Sequence, residues 1–287
     1  MTSAADTMVI TPRDLWTLFE PIHSVTYFSP EALAAFEEAG LKGFWDGYFA
    51  GRAAPLGPAE PATVTAAFCS YAPAMVARSV PSVWRTVTPE QALELRLTGA
   101  RAALARLLAG HEERIEEAAG LLTVPATAPD CAGRALAAAN TALPWPTAPL
   151  ERLWHATTVL REHRGDGYVA AQIAADLDGC EILVLRTGID LPRSELQPYR
   201  GWTDAEWDAA TARLTERGLL AADGRATEEG TRLHTSVEEA TETAAARPWA
   251  RAGDLTRLSE ALIPLSDAVA ATLRFPNPIG LPERSHR

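Results

Sequence analysis

The sequence predicts a mainly α-helical protein made of two similar halves, with one short β hairpin in the second half. Apolar residues recur at helical spacing along most of the 287 residues, which is the pattern of helices that bury one face. The Asp223-Gly224 turn between two short apolar runs predicts the hairpin. Short motifs recur at an offset of 131 or 132 residues, which indicates an internal repeat.

Local signals place the individual helices. Ser29 is a favourable N-cap, Pro30 a favourable first residue, and Gly40 a favourable stop for the helix between them. Residues 165–167, with the sequence Gly-Asp-Gly, predict a sharp loop in which Asp166 caps the next helix or orients His163. Helices are predicted over 13–28, 30–39, 43–54, 63–70, 73–80, 89–109, 111–121, 150–163, 168–177, 180–186, 193–199, 203–217, 228–246 and 254–272.

Composition and charge disfavour several classes of function. The chain has 26 basic and 37 acidic residues, a net charge of −11, whereas nucleic-acid binding needs a concentrated basic face. No secretory signal opens the sequence and no run of 18 apolar residues could cross a membrane. The three cysteines are far apart and form no CxxC pair, which predicts a cytoplasmic protein with inert thiols.

The segment from 213 to 233 resembles a MarR-type winged helix. It contains a Leu-x-x-x-Gly-Leu run ending at Leu219, a hairpin turn at 223–224, and Thr-x-x-Gly at 227–230 before a long helix. In that family the start of the recognition helix and the wing touch DNA. Here the corresponding helix start carries Asp204, Glu206 and Asp208, which would meet phosphates with carboxylates. We therefore expect a structural winged helix rather than a DNA-binding one.

The internal repeat extends this prediction to the whole chain. Positions 20–26 resemble 152–158, and the aromatic pair at 68 and 71 resembles the pair at 199 and 202. The predicted fold class is mainly α, with two tandem winged-helix-like units related by a pseudo-two-fold axis and a small β wing. We expect a degenerate winged-helix-like N-terminal domain over 1–146, a winged-helix-like domain over 147–250, and a C-terminal helix and tail over 251–287. Chance similarity between Ala-rich helices is the alternative explanation of the repeat.

The residues with the most promising chemistry lie between positions 23 and 52. His23 and Tyr27 are four residues apart and share a helix face. The next residues of interest form an aromatic set that ends in an arginine, and they are predicted to bind substrate: Trp45, Tyr48, Phe49 and Arg52. An arginine beside stacked rings suits a planar anion such as a carboxylate. The alternative is a salt bridge from Arg52 to a neighbouring acid within an aromatic core.

His155 is a second histidine on an apolar helix face. If the repeat is real, we expect His155 to approach His23 across the pseudo-two-fold axis, where the two could act as acid and base. A satisfied core histidine is the alternative for His155. The sequence contains none of the usual metal, dinucleotide, P-loop or nucleophile motifs, and so no metal and no cofactor are predicted.

A wider resemblance covers most of the chain. The sequences HSVTYF at 23–28, GFWDGYFAGRAAPLG at 43–57, EHRGDG at 162–167, DGCE at 178–181 and GWT at 201–203 resemble a family of actinobacterial proteins of similar length. Some members are labelled as salinomycin-cluster proteins and many as helix-turn-helix proteins. Relatives commonly carry histidine where this chain has Tyr168, so we predict no proton-transfer role there.

These observations predict a small-molecule-binding protein, with two functions open. The first is a cofactor-independent enzyme of secondary metabolism, of the lyase, isomerase or cyclase type, in which His23, Tyr27 and His155 carry out acid–base chemistry in an aromatic pocket. The second is a ligand-responsive winged-helix regulator without catalytic activity. We expect the ligand to be a small organic molecule, with Arg52 favouring an anion, and nucleic acid and membrane are disfavoured partners. A homodimer is compatible with the terminal helices.

Overall fold

The structure, a computed structural model, describes residues 10–127 and 129–283, and in these ranges it is mainly helical, as predicted. The α-helices are α1 (Pro12–Phe28), α2 (Pro30–Glu38), α3 (Gly43–Ala53), α4 (Pro61–Ala67), α5 (Pro73–Ser79), α6 (Pro89–Leu107), α7 (Glu112–Thr127), α8 (Ala135–Thr141), α9 (Pro149–Ala174), α10 (Glu181–Thr187), α11 (Arg193–Leu196), α12 (Asp204–Glu216), α13 (Glu228–Ala245) and α14 (Leu255–Ala270). Short 3₁₀ helices span Ala54–Leu56, Ser82–Arg85, Gln197–Tyr199 and Arg247–Arg251. No helix in the described ranges is both long and apolar enough to cross a membrane.

Threonine and serine side chains start several helices at the predicted places. Thr11, Thr88 and Thr203 each accept a hydrogen bond from the third residue of the following helix, whose side chain bonds back in a capping box. Ser29 caps α2 in the predicted way, accepting from the backbone N–H of Ala32 at 3.1 Å. Thr227 caps α13. These local bonds explain why the predicted helix starts agree closely with the structure.

The predicted β wing does not form a sheet in the described ranges. Leu220 and Ala226 form a single antiparallel bridge around the turn at Gly224, whose φ of +81° suits glycine. No longer strand occurs in residues 10–127 or 129–283. The backbone N–H of Ala226 also donates to the carbonyl of Gly188, the residue after α10, at 3.1 Å. The end of α10 therefore supports the turn.

The predicted loop at residues 165–167 is wrong, because α9 runs without a break from Pro149 to Ala174. Gly167 lets two neighbours pack onto the helix: an added Cβ would lie 2.8 Å from Arg134 Nη1 and 3.1 Å from Ala244 Cβ. Asp166 does cap a helix, but a different one, since it accepts from the backbone N–H of Ala137 in α8 at 2.9 Å. Gly167 thus serves close packing rather than a turn.

The structure differs from the prediction in two further places, the predicted helix break at 123–129 and the helix that follows it. Helix α7 continues through the buried Pro125 to Thr127, so the break begins several residues later than predicted. Helix α8 is absent from the prediction because its seven residues, mostly alanine, carry too few large apolar side chains to show a periodic pattern.

Three clusters of buried apolar residues organise the helices. The largest joins α1, α6, α7, α9 and α14, and so unites segments that are distant in sequence. A second lies among α2 to α6 with α8, and a third among α10, α12 and α13. Trp202 packs against both the second and the third cluster, and its indole N–H donates to the Ser70 carbonyl at 3.0 Å. The main cavity lies where these clusters meet.

Candidate functional site

A cavity of about 720 Å³ lies among α1, α3, α9, α10 and α13 and is bordered on one side by residues 272–280. Its volume is in the range of small-molecule sites. The cavity is rich in rings, and the aromatic residues that line it are Trp16, Tyr27, Phe28, Phe44, Trp45, Tyr48, Phe68, Tyr71, Tyr168 and Tyr199. Such a wall can bury the face of a planar organic molecule.

The cavity is lined by more arginines than carboxylates, although the protein as a whole is acidic. Among the described residues, those lining it include seven arginines but only three carboxylates. The arginines are Arg13, Arg52, Arg161, Arg164, Arg186, Arg200 and Arg274, and the acids are Glu20, Asp190 and Glu238. Enclosed charge of one sign raises the local concentration of ligands of the opposite sign. Six of these arginines pair with described carboxylates, among them Glu162, Glu195 and Glu242 just outside the lining, so the unbalanced positive charge is that of Arg200.

The predicted substrate-binding residues lie together, but Arg52 is already paired. Its guanidinium donates two parallel hydrogen bonds to Glu162, each 3.0 Å long, and the Arg52 side chain lies over the Phe68 ring. This is the salt-bridge alternative for Arg52. Trp45 and Tyr48 line the cavity with Arg52, whereas Phe49 is fully buried behind them.

Glu162 is the centre of a buried group of charges. Arg161 also donates to Glu162, at 2.9 Å, and lies 3.5 Å from Glu20. Burial raises the pKa of Glu162, but Arg161 and Arg52 together hold that pKa well below its ordinary range. Glu162 is therefore an anion, and it neutralises much of the positive charge of Arg52 and Arg161.

Arg200 differs from the other cavity arginines because no carboxylate in the described ranges pairs with it. Its Nη atoms donate to the carbonyls of Tyr199 and Pro278, and its guanidinium lies 4.8 Å from the centre of the Tyr71 ring. Its Nε is buried and has no hydrogen-bond partner. Arg200 thus has the open charge that the sequence had suggested for Arg52.

Tyr27 and His23 form a hydrogen-bonded pair on α1. The Thr158 hydroxyl donates to the Trp154 carbonyl, so it accepts from His23 Nδ1–H at 3.0 Å. His23 Nε2 is then unprotonated and accepts from the Tyr27 hydroxyl at 3.1 Å. Burial raises the pKa of Tyr27 and lowers the pKa of His23 well below its ordinary value. Both are therefore neutral, and of the two only Tyr27 lines the cavity.

His155 lies away from the cavity residues. Its ring packs edge-on against Trp145 at a centroid distance of 4.6 Å, and Nε2 has no hydrogen-bond partner in the described ranges. Burial lowers the pKa of His155 to about 4. His155 and His23 thus have different neighbours, and the cavity does not include either ring.

Glu20 is a cavity residue that the sequence analysis missed. The side chain is fully buried, Oε2 accepts from the Trp16 indole at 2.9 Å, and Oε1 has no hydrogen-bond partner. Burial raises the pKa of Glu20, and Arg161 opposes that rise only in part. Glu20 lies just before the segment at 23–28, and Glu162 begins the segment at 162–167. Nothing in a single sequence shows that both carboxylates lie beside Arg161.

The resemblance between the two halves of the sequence did point to part of the site. Phe68 and Tyr71, paired by the repeat with Tyr199 and Trp202, lie at the same cavity, and the backbone N–H of Ala72 donates to the Arg200 carbonyl at 2.8 Å. No three His, Cys, Asp or Glu side chains in the described ranges lie close enough together to hold a metal. The aromatic and arginine side chains suit an organic ligand.

One comparison with known proteins is decisive for the family. A family model described as a helix-turn-helix family matches residues 12–276, which is most of the chain. The chain belongs to this helix-turn-helix family. No curated protein matches the chain significantly. No solved structure does either. The family match covers every helix described above and nearly all of the cavity.

Proposed function

We propose that the protein binds a small aromatic or otherwise planar organic anion in the cavity and carries out acid–base chemistry on it. The observation that carries the proposal is Arg200, an arginine that no described carboxylate pairs with, in a ring-lined cavity of about 720 Å³. A ligand carboxylate or similar group would supply the missing charge and accept from the guanidinium. The surrounding rings would bury the rest of the ligand.

Two groups of the cavity wall are suited to proton transfer. The Glu20 carboxyl is buried and has a raised pKa, and its Oε1 accepts no hydrogen bond from the described residues although Arg161 lies 3.5 Å away, properties that suit a general base. Tyr27, whose hydroxyl donates to His23, can accept a hydrogen bond from a ligand through its oxygen and relay a proton towards His23. His155 stays a predicted catalytic residue without a contact that supports it. The enzyme that we propose needs no cofactor and acts in the cytoplasm.

Binding is tested with 1-anilinonaphthalene-8-sulfonate, an anionic fluorescent probe, beside its neutral relative N-phenyl-1-naphthylamine. Arg200→Gln should weaken binding of the sulfonate about tenfold, since a hydrogen bond to a charged group contributes about 1.5–3 kcal/mol. It should leave the neutral probe unaffected. Arg225→Gln removes one positive charge from an exposed turn and is the matched control. Equal loss of both probes, or no loss of either, contradicts the proposed anion site.

The acid–base step is tested with phenylpyruvate, an aromatic 2-oxo acid, in deuterium oxide. A base removes a proton from C3 and solvent returns deuterium, so the exchange rate reports enolisation. We expect exchange faster than in buffer, with this acceleration lost in Glu20→Gln and retained in part in Tyr27→Phe, because Glu20 is the proposed base. Exchange at the buffer rate while phenylpyruvate is bound contradicts acid–base chemistry.

The second candidate is a ligand-responsive regulator, favoured by membership in a helix-turn-helix family. In that case the same cavity binds an effector, and α12 would approach DNA. The acidic start of α12 argues against this candidate. Both candidate functions require the anion site. The probe experiment therefore either supports both or contradicts both.

The two-fold repeat and the origin of the protein also belong to this proposal. We propose two winged-helix-like units, over 1–146 and 147–250, because the repeat-related segments around Tyr71 and Trp202 contact one another, as segments beside a pseudo-two-fold axis do. Helices α6 and α13, which the sequence comparison of the two halves matched, both begin at a capping threonine. The resemblance to salinomycin-cluster proteins of actinobacteria supports a substrate from secondary metabolism, and a homodimer stays a prediction.

A further inference from the structure

The hydroxyl of Tyr48 has an unusual set of partners for a cavity residue. Its oxygen accepts a hydrogen bond from Arg52 Nη1 at 3.1 Å and another from the Tyr71 hydroxyl at 2.8 Å. No group in the described ranges accepts the proton of Tyr48 itself, and Tyr48 lines the cavity. A phenol whose oxygen accepts two hydrogen bonds is polarised and becomes a stronger donor through its own O–H.

The charges around Tyr48 act in the same direction. Burial raises the pKa of Tyr48, but Arg52, Arg161 and Arg200 more than offset this rise and leave that pKa below 10.0. Tyr27 and Tyr71 differ, because burial dominates there and raises the pKa of both. Of these three neighbouring tyrosines, Tyr48 alone is made more acidic by its surroundings.

Tyr48 and Arg200 both contact Tyr71, Tyr48 at its hydroxyl and Arg200 over its ring face. The Tyr71 hydroxyl bonds to Tyr48, and the Arg200 guanidinium lies 4.8 Å from the centre of the Tyr71 ring. Both groups line the same ring-rich cavity, so a single ligand with a ring in its middle can contact both. One end would be a carboxylate at Arg200, and the other would be an oxygen that accepts from Tyr48.

We infer that Tyr48 donates a hydrogen bond to a ligand oxyanion, and that the ligand class is a carboxylic acid with an ionisable phenol or enol hydroxyl separated from the carboxylate by a ring. This inference rests on the proposed function and adds the second recognition group. A preorganised donor of this kind stabilises an oxygen that carries negative charge far more than a neutral carbonyl or ether. The site would thus favour the phenolate or enolate form of its ligand.

The probes are 4-hydroxycinnamate and cinnamate, which differ only in the phenol. Binding is measured by calorimetry, and the ionisation of the bound phenol is followed by absorbance, because the phenolate absorbs at longer wavelength than the protein. We expect 4-hydroxycinnamate to bind about tenfold more tightly than cinnamate at a pH where the free phenol is neutral. We also expect the phenol pKa to fall by about one unit or more on binding.

Variants separate this inference from the proposed function. Tyr48→Phe should abolish both the preference and the pKa shift while still binding cinnamate, which also shows that the variant folds. Tyr168→Phe removes a different cavity hydroxyl and should preserve both effects. Equal binding of both probes with an unshifted phenol pKa overturns the inference alone. If neither probe binds, the proposed function fails and the inference fails with it.

Discussion

Arg52 and Glu162, 110 residues apart in sequence, face each other in a bidentate ion pair with both N–O distances at 3.0 Å. The side chains are almost fully buried, and the pair connects α3 to α9 beside the cavity. Arg161 contacts the same carboxylate. The position of the aromatic residues on α3 relative to α9 therefore depends on a charged contact inside the protein.

Loss of the Glu162 charge is expected to be costly. Glu162→Gln leaves Arg52 and Arg161 buried without their shared counter-charge, and we expect the free energy of unfolding to fall by about 3–5 kcal/mol in urea titrations. Glu116→Gln breaks an exposed pair with Arg152 and should cost less than about 1 kcal/mol. Similar small losses in the two variants would show that the buried pair contributes no more than a surface one.

Buried histidines should make the protein sensitive to acid. Burial lowers the pKa of His155 from 6.5 to about 4, so between these values the unfolded chain binds a proton that the folded chain does not. The stability associated with His155 is complete above pH 6.5 and is lost as the pH falls towards 4. His155→Gln should reduce the stability difference between pH 7.5 and pH 4 by about 3 kcal/mol.

His163 provides a second test of the same effect, because burial also lowers its pKa to about 4. His163→Gln should reduce the acid sensitivity in the same direction, and the double variant should reduce it further. Thermal and urea unfolding at several pH values measures the change. A pH profile identical to that of the wild type in both single variants would refute the assignment.

Asp166 should have the opposite dependence on pH. Burial raises the pKa of Asp166 from 3.8 to about 6, so the folded state holds its proton more tightly than the unfolded chain. The resulting stability is complete below pH 3.8 and is lost as the pH rises through 6. Asp166→Asn keeps an acceptor for the Ala137 N–H and should stabilise the protein by about 2 kcal/mol at pH 8, with the gain vanishing near pH 4. A variant less stable than the wild type at both pH values would contradict this prediction.

The predicted recognition helix should not bind DNA strongly. Asp204 and Glu206 lie in the first turn of α12, and Arg213 is already paired with Asp178 and Glu181 at 2.6 and 2.7 Å. We expect a Kd for duplex DNA weaker than about 10⁻⁴ M at physiological salt, measured by anisotropy of a labelled random duplex. Tighter binding, with a logarithm of the binding constant that falls linearly with the logarithm of the salt concentration, would favour the regulator.

Local features of the sequence were sufficient for most of the helices and for neighbours on one helix. Capping residues and apolar spacing located α1, α2 and α6, and four-residue spacing brought His23 to Tyr27. The Gly-Asp-Gly segment was misinterpreted because Gly167 makes room for Arg134 and Ala244, which pack on α9 from elsewhere in the chain. Local propensity cannot show such contacts.

The candidate site was predictable only in part, for the same reason. Trp45, Tyr48 and Arg52 share α3, so their proximity follows from helix geometry. The partner that neutralises Arg52 and the open charge at Arg200 come from segments more than 100 residues away. A single sequence does not show these pairings. The sequence analysis therefore placed the anion-binding group at Arg52, whereas in the structure Arg52 is paired with Glu162 and no described carboxylate pairs with Arg200.

The most direct test of the central claim is a crystal structure of the protein with bound 4-hydroxycinnamate. The account predicts the aromatic ring inside the cavity, the carboxylate within hydrogen-bond distance of Arg200, and the phenol oxygen at Tyr48. A ligand bound elsewhere on the protein, or one in the cavity with its carboxylate directed away from Arg200, would contradict the account.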